Sequence, residues 1–410
     1  MPCHIRTLQK VLIFAALAWA GTVACPAQTS ADEFKGVLLR DAAFTAEEFA
    51  ALERGEVVVK LLPKTDKREV AFCGVARLQG DPATLLAAFK ESLTRSGNQV
   101  IRAGGRIGTP PAPEDLQALT LEGRDLDDLK RCATGDCKLK MPAAMLERLQ
   151  REVDWAAPGY SASAERVFRL MLLDYLRDYL ARGDAALAEE GDKRAGGARS
   201  GERQRAPLAS LPYVDDTAPE FAAYLQNFPR VELAGVENSL HWSRIKVGLK
   251  PVTVLMHTAT YTRRREDAPQ ILVATKQLYA THYFNSSLSL TLLTSVAAAG
   301  GAPPDTYLLY ANRSRADALG GLFGGIKRRL VEEATLGGLR AVLQQTKLRT
   351  EAGPADAPTS DRRADTEGAG ARPRTGWLYG RARYLFLALS LVASLLLLWL
   401  RRRDLKSHST

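Results

Sequence analysis

The sequence predicts an α+β fold: a curved antiparallel sheet packed on a long C-terminal helix, with a helical insertion and a single C-terminal transmembrane helix. Three observations carry this. Between residues 250 and 315, four β-rich runs follow one another with turn signals between them: KPVTVLMHTATYTR, QILVATKQLYATHYF, SSLSLTLLTSV and DTYLLYANRSR. A glycine-rich hinge, GGLFGGIK, then opens into a helical pattern over 326–349. Finally, residues 384–400 are uncharged and almost wholly apolar.

The 410 residues are enough for a sizeable core, and shares of 46% hydrophobic and 25% charged residues are those of an ordinary globular protein. The net charge of +10 sits at the chain ends. Arg6 and Lys10 supply two of these charges. Residues 372–410 supply seven more, from Arg372, Arg374, Arg381, Arg383, Arg401, Arg402, Arg403 and Lys406 against Asp404. The chain between them is almost neutral, so the basic balance marks targeting and anchoring ends and argues against nucleic acid as a partner.

Residues 1–27 have the layout of a secretory signal peptide. His4, Arg6 and Lys10 precede the short apolar core VLIFAALAWAGTVA, and small residues follow, with cleavage after Ala27. The core is shorter than the roughly 20 residues of a membrane span. An uncleaved anchor, or lipidation at Cys25, are the other readings of this stretch. Export makes residues 30–351 an extracytoplasmic domain.

Within that domain a helical pattern covers residues 30–52, where Thr45 and Glu48 have capping-box spacing for a helix over 46–54. EVVVKLLP and REVAFCGVARLQ, joined by KTDK, read as a hairpin. Asp81-Pro82 opens a helix through Leu93, with Leu85, Leu86 and Phe89 on one face. Residues 98–125 read as loop with one short helix, PEDLQALTL. The helical insertion follows over about 125–190 and ends in the amphipathic run AERVFRLMLLDYLRDYLARGDAAL. Residues 190–207 are a polar, glycine-rich flexible loop. PEFAAYLQNF gives a short helix stopped by Pro229, and SLHWSRIKVGLKP leads into the strands.

Beyond the domain, residues 352–376 form a Pro/Ala/Gly-rich disordered linker that spans about 25–30 Å as a flexible coil. Residues 377–400 are the transmembrane helix with an interfacial start, belted by Trp377, Tyr379, Tyr384 and Trp399, and 401–410 the basic tail. Basic residues flank the span evenly, so orientation follows from the signal: the domain periplasmic or at the cell surface, the tail cytoplasmic. A tail-anchored protein facing the cytosol is the rival arrangement.

Few residues offer chemistry. Cys132 and Cys137, five apart around a Gly-Asp turn, read as a small-loop disulfide in an oxidising compartment. Cys73 lies in a strand-like run and reads as a buried, inert thiol. His241, His257 and His282 are the histidines of the domain, and strand pairing is expected to bring His257 and His282 near one another. No carboxylate stands at ligand spacing beside them, so no metal site is assigned. Nucleophile-elbow, Walker A and dinucleotide fingerprints are absent, and no cofactor is implied. Aromatics are dense from Tyr279 to Phe284, with Tyr279, Thr281 and Tyr283 on one face and Leu278, Ala280, His282 and Phe284 on the other. A sheet apolar on both faces needs cover on both, or a cavity on one. The candidate ligand-binding residues are Trp242, His257, Tyr279, His282, Tyr283, Tyr307 and Phe323.

The order of elements resembles the START/SRPBCC helix-grip superfamily: an early hairpin (EVVVKLLP and REVAFCGVARLQ), a helix over 82–93, strands over 251–313 and a helix over 326–349. The resemblance is one of layout, covers about half the chain, and the insertion departs from it. It implies a lipid or other hydrophobic molecule held between sheet and C-terminal helix, and it transfers no catalytic residues. The expected function is therefore a membrane-anchored binding protein for a lipid-like ligand. An envelope enzyme using sheet histidines, or a structural or assembly protein, are the alternatives.

Overall fold

The computed structural model describes residues 30–351 except 41, 65, 97–100, 134–135, 188–213, 215–216, 248–249, 265–268, 297–304 and 321–323. The expected signal peptide, flexible loop, linker, transmembrane span and basic tail, together with Phe323, lie outside the described residues. Among the described residues, no helix is long and apolar enough to cross a membrane.

Eight strands pair into one antiparallel sheet: β1 (Val58–Leu61), β2 (Glu69–Gln79), β3 (Ile101–Ile107), β4 (Val236–Val247), β5 (Lys250–Arg263), β6 (Gln270–Ala280), β7 (Phe284–Val296) and β8 (Asp305–Ala316). Their order is β1-β2-β8-β7-β6-β5-β4-β3. β3 to β8 are thus sequential neighbours, and the early hairpin joins the far edge. There β2 runs beside β8 along its length, from Glu69 opposite Arg315 to Gln79 opposite Asp305. The helices are α1 (Ser30–Arg40), α2 (Ala46–Glu53), α3 (Pro82–Ser96), α4 (Gly123–Arg131), α5 (Ala143–Glu152), α6 (Tyr160–Arg182), α7 (Pro219–Asn227) and α8 (Gly324–Glu351). The capping box starts α2 as its spacing requires: Glu48 N donates to Thr45 Oγ1 at 3.1 Å, and Thr45 N to Glu48 Oε2 at 2.8 Å.

Strand alternation sends apolar residues to both faces, and each face has its own cover. On one face, Ala259, Tyr261, Leu272, Ala274, Leu290 and Leu309 pack against α1, α7 and the residues around them. On the other, Ile271, Val273, Leu293 and Leu308 meet Leu85 and Phe89 of α3 and Leu339 and Leu343 of α8. β6 is consequently buried at nearly every position, which is how a strand covered on two sides reads. Gly74 of β2 lets α8 lie directly on the sheet. A Cβ there would come within 2.7 Å of Leu339 Cδ2 and of Leu343 Cδ1. The sheet–α8 interface is a filled core.

The insertion, α4 to α6, builds a second core on Leu240, Trp242, Leu255, Leu278 and Tyr279. Leu255 shares a face of β5 with Ala259 and Tyr261, so the insertion covers the remaining end of the first face. Two expectations are corrected here. Residues 101–107, read as loop, form β3; their glycines hide a strand pattern, but Gly105 is where Trp242 lies, its Nε1 within 2.8 Å of where a Cβ would sit. The strand expected through Phe284 stops at Ala280, and a bulge opposite Leu255 and Met256 turns both Leu278 and Tyr279 toward the insertion.

Candidate functional site

The sheet floor of one cleft is made by cross-strand pairs. His257 and Ala259 of β5 stand opposite Lys276 and Ala274 of β6, and Leu288 of β7 pairs with Lys276 in turn. Above this floor come Tyr179 from the last turn of α6, Leu225 of α7 and Phe228 just beyond it. The cleft measures about 290 Å³ counted out to its mouth, and its closed walls leave inner room for about one water molecule.

Polar groups converge there on an otherwise apolar lining. Tyr179 OH lies 2.8 Å from His257 Nδ1, and His257 Nε2 lies 2.8 Å from Asn238 Oδ1. Tyr224 OH donates to the same Oδ1 at 2.9 Å. Because that oxygen only accepts, the ring proton sits on Nε2 and Nδ1 accepts from Tyr179. Burial, with the charge of Lys276 second, pushes the His257 pKa down to about 3, so the imidazole is neutral. Burial also holds the Tyr179 phenol well above its ordinary value, which keeps it a donor. The Lys276 ammonium pairs with Asp184 Oδ1 and lies 5.6 Å from the centre of the Tyr179 ring. Both members of the ion pair are buried, and Asp184 Oδ2 has no hydrogen-bond partner.

Phe228 lines the cleft beside three other rings. Its ring lies 4.6 Å from His257, 5.5 Å from Tyr179 and 6.0 Å from Tyr224, centre to centre. Gly183 at the end of α6 permits this position. It has φ +61°, and a Cβ there would fall 1.9 Å from the Phe228 carbonyl oxygen.

The sequence-predicted residues separate. His257 alone among them lines the cleft. The register sets Lys276 opposite it, while His282 lies past the end of β6, so the expected approach of the two histidines does not occur. His282 instead faces Asp125 Oδ1 at 3.1 Å and the Lys138 carbonyl at 3.2 Å, beside the Cys132–Cys137 disulfide. Trp242 is buried in the insertion core and donates to the Asp115 carbonyl at 3.0 Å. Tyr279 donates to the Lys140 carbonyl at 2.7 Å. Tyr283, at φ +60°, packs beside Val252 and Val254. Tyr307 stacks on Phe34 at 4.8 Å and donates to Glu53 on the sheet's first face. Cys73 is a buried free thiol whose pKa burial pushes up to about 12. Among the described residues no cluster of His, Cys, Asp and Glu suits a metal ion.

Sequence reasoning missed Tyr179, Asp184, Phe228, Asn238 and Lys276. One signal was present: Lys276 is the lone charge in QILVATKQLYA, a strand apolar on both faces. No protein-family model and no curated protein matches the chain.

Proposed function

We propose that this chain is a membrane-tethered, extracytoplasmic binding protein for a small lipid-like ligand, and that its site is the Phe228-gated cleft. The observation that carries the reading is the placement of a buried cation, Lys276, and a neutral hydrogen-bonded histidine, His257, at the foot of a cleft walled by Leu225, Phe228, Leu288 and two alanines. Such a site suits an apolar body ending in a polar or anionic head. The closed cleft admits such a ligand only when Phe228 moves outward, and Phe228 is held by ring contacts and not by a covalent or ionic bond. The helix-grip likeness supports the same class of ligand through the pairing of β2 with β8 and the long helix that follows. The likeness would put the ligand under α8, but Leu339, Val342 and Leu343 are buried in the core there, so the reading moves the ligand to the cleft.

Mass spectrometry of lipid extracted from the purified protein, beside titration with a fluorescent fatty acid, tests the reading. Wild type is expected to bind. Ala259→Leu, which fills the cleft floor, is expected to weaken binding at least tenfold at unchanged α-helical content. A wild-type chain that carries no lipid and ignores the probe overturns the proposal.

A further inference from the structure

Six large apolar side chains are exposed among the described residues, and four of them, Ile326, Leu330, Val331 and Leu348, lie on α8. Leu330 and Leu348 are separated by about five full turns and so point the same way. Between them, at steps of four and three, stand Ala334, Gly337, Ala341 and Gln344, all exposed. This uncharged stripe has the spacing of a coiled-coil seam and lies opposite the buried side formed by Leu339, Val342, Leu343 and Thr346. A Cβ at Gly337 or Gly338 would meet nothing within 4 Å, so packing within the chain does not require either glycine. Each weakens the helix by about 1 kcal/mol relative to alanine.

We propose that this face pairs with the same face of a second copy of the chain, antiparallel, about a two-fold axis near residue 339. In that register Leu330 meets Leu348 of the second copy, Ala334 meets Gln344, and Gly337 meets Ala341. Long side chains close the two ends while the backbones approach at the narrow middle. The charges select this direction. Lys327 falls opposite Glu351 of the second copy, twice by symmetry, against one like-charge meeting of Arg340 with its mate at the axis. In a parallel pair Lys327 would face Lys327. A lipid surface fits the face less well, since the stripe has no aromatic side chain and its middle is small. The seam over 326–348 runs about 33 Å, and pairing along it buries on the order of 1,000 Å², the size at which specific dimers begin.

The test uses the full chain in membranes. Leu330→Cys and Leu348→Cys are expressed separately and together and then oxidised. The mixture is expected to give several times the cross-linked dimer of either variant alone. A single variant that cross-links as well as the mixture overturns the antiparallel register, and no cross-link in the mixture overturns the pairing. Quenching of a label at residue 330 by a lipid-borne quencher, without cross-linking, assigns the face to lipid and overturns it too. Gly337→Leu, placed in open space, is expected to leave the melting temperature unchanged or raised and to cut cross-linking in the mixture at least fivefold. An undiminished yield in that background also counts against the proposal.

Discussion

The hydroxyl of Tyr179 donates to Nδ1 of His257 across 2.8 Å, joining the last turn of α6 to the middle of β5. This bond ties the insertion to the sheet at the cleft, and both partners are buried there. Tyr179→Phe keeps the ring contacts with Phe228 and removes only the donor. The imidazole nitrogen is then left buried without a partner, at a cost of about 1–3 kcal/mol. Denaturant unfolding of the two proteins measures it; a difference under about 0.5 kcal/mol would mean that water replaces the hydroxyl.

The ion pair beside it predicts a non-additive pattern. Lys276→Met leaves Asp184 charged in a buried site, and a loss of about 3–5 kcal/mol is expected. Lys276→Met with Asp184→Leu removes both charges and should restore most of that loss. A double-mutant cycle on unfolding free energies decides it, with additivity as the contrary result.

How far the site could be read beforehand follows from where its parts lie. The strands from 250 to 315 and the helix after them announce themselves by alternation and period, because burial on a sheet or helix face imposes those patterns on a local stretch. The cleft is a long-range object. Tyr179 and His257 are 78 residues apart, and Lys276 meets Asp184 across 92. No local pattern encodes which helix turn lands on which strand. His282 shows the opposite failure: its type and its aromatic neighbours suggested ligand binding, while the bulge in β6 turned the segment into a lock on the insertion, with Lys140 N bonded to the Thr281 carbonyl at 2.8 Å.

Gly183, directly after α6, should be hard to replace. Gly183→Ala forces a left-handed φ on alanine and drives a methyl into the Phe228 carbonyl. The melting temperature should fall, with a loss of more than about 1 kcal/mol. If Phe228 gates the cleft, the same variant should take up a fluorescent fatty acid faster than wild type, and stopped-flow binding measures that rate. Slower or unchanged uptake with the same stability loss would leave Gly183 structural only.

The disulfide should stabilise the insertion locally. Cys132 and Cys137 are joined five residues apart, and closing so short a loop is worth about 2 kcal/mol in the chain-entropy account. Reduction should therefore lower stability by roughly that amount and speed amide exchange at 138–140, whose carbonyls hold His282 and Tyr279. Unchanged exchange there would separate the disulfide from the lock.

Acidification should unfold the protein through His257. Its folded pKa is near 3, held down by burial and then by Lys276, against about 6.5 in the unfolded chain. Between those values the unfolded state binds a proton that the folded state refuses, so stability rises with pH. The contribution is fully present above about pH 6.5 and declines by about 1.4 kcal/mol per pH unit as pH falls toward 3. The groups facing the ring are Tyr179, Tyr224, Asn238 and Lys276, with Asp184 behind the last. His241, also lowered by burial and then by Arg106, acts in the same direction, so the test is a difference between proteins. Between pH 6.5 and 5, His257→Gln should flatten the stability slope by about 1 kcal/mol per unit. Parallel slopes for the two proteins would place the acid-sensitive group elsewhere.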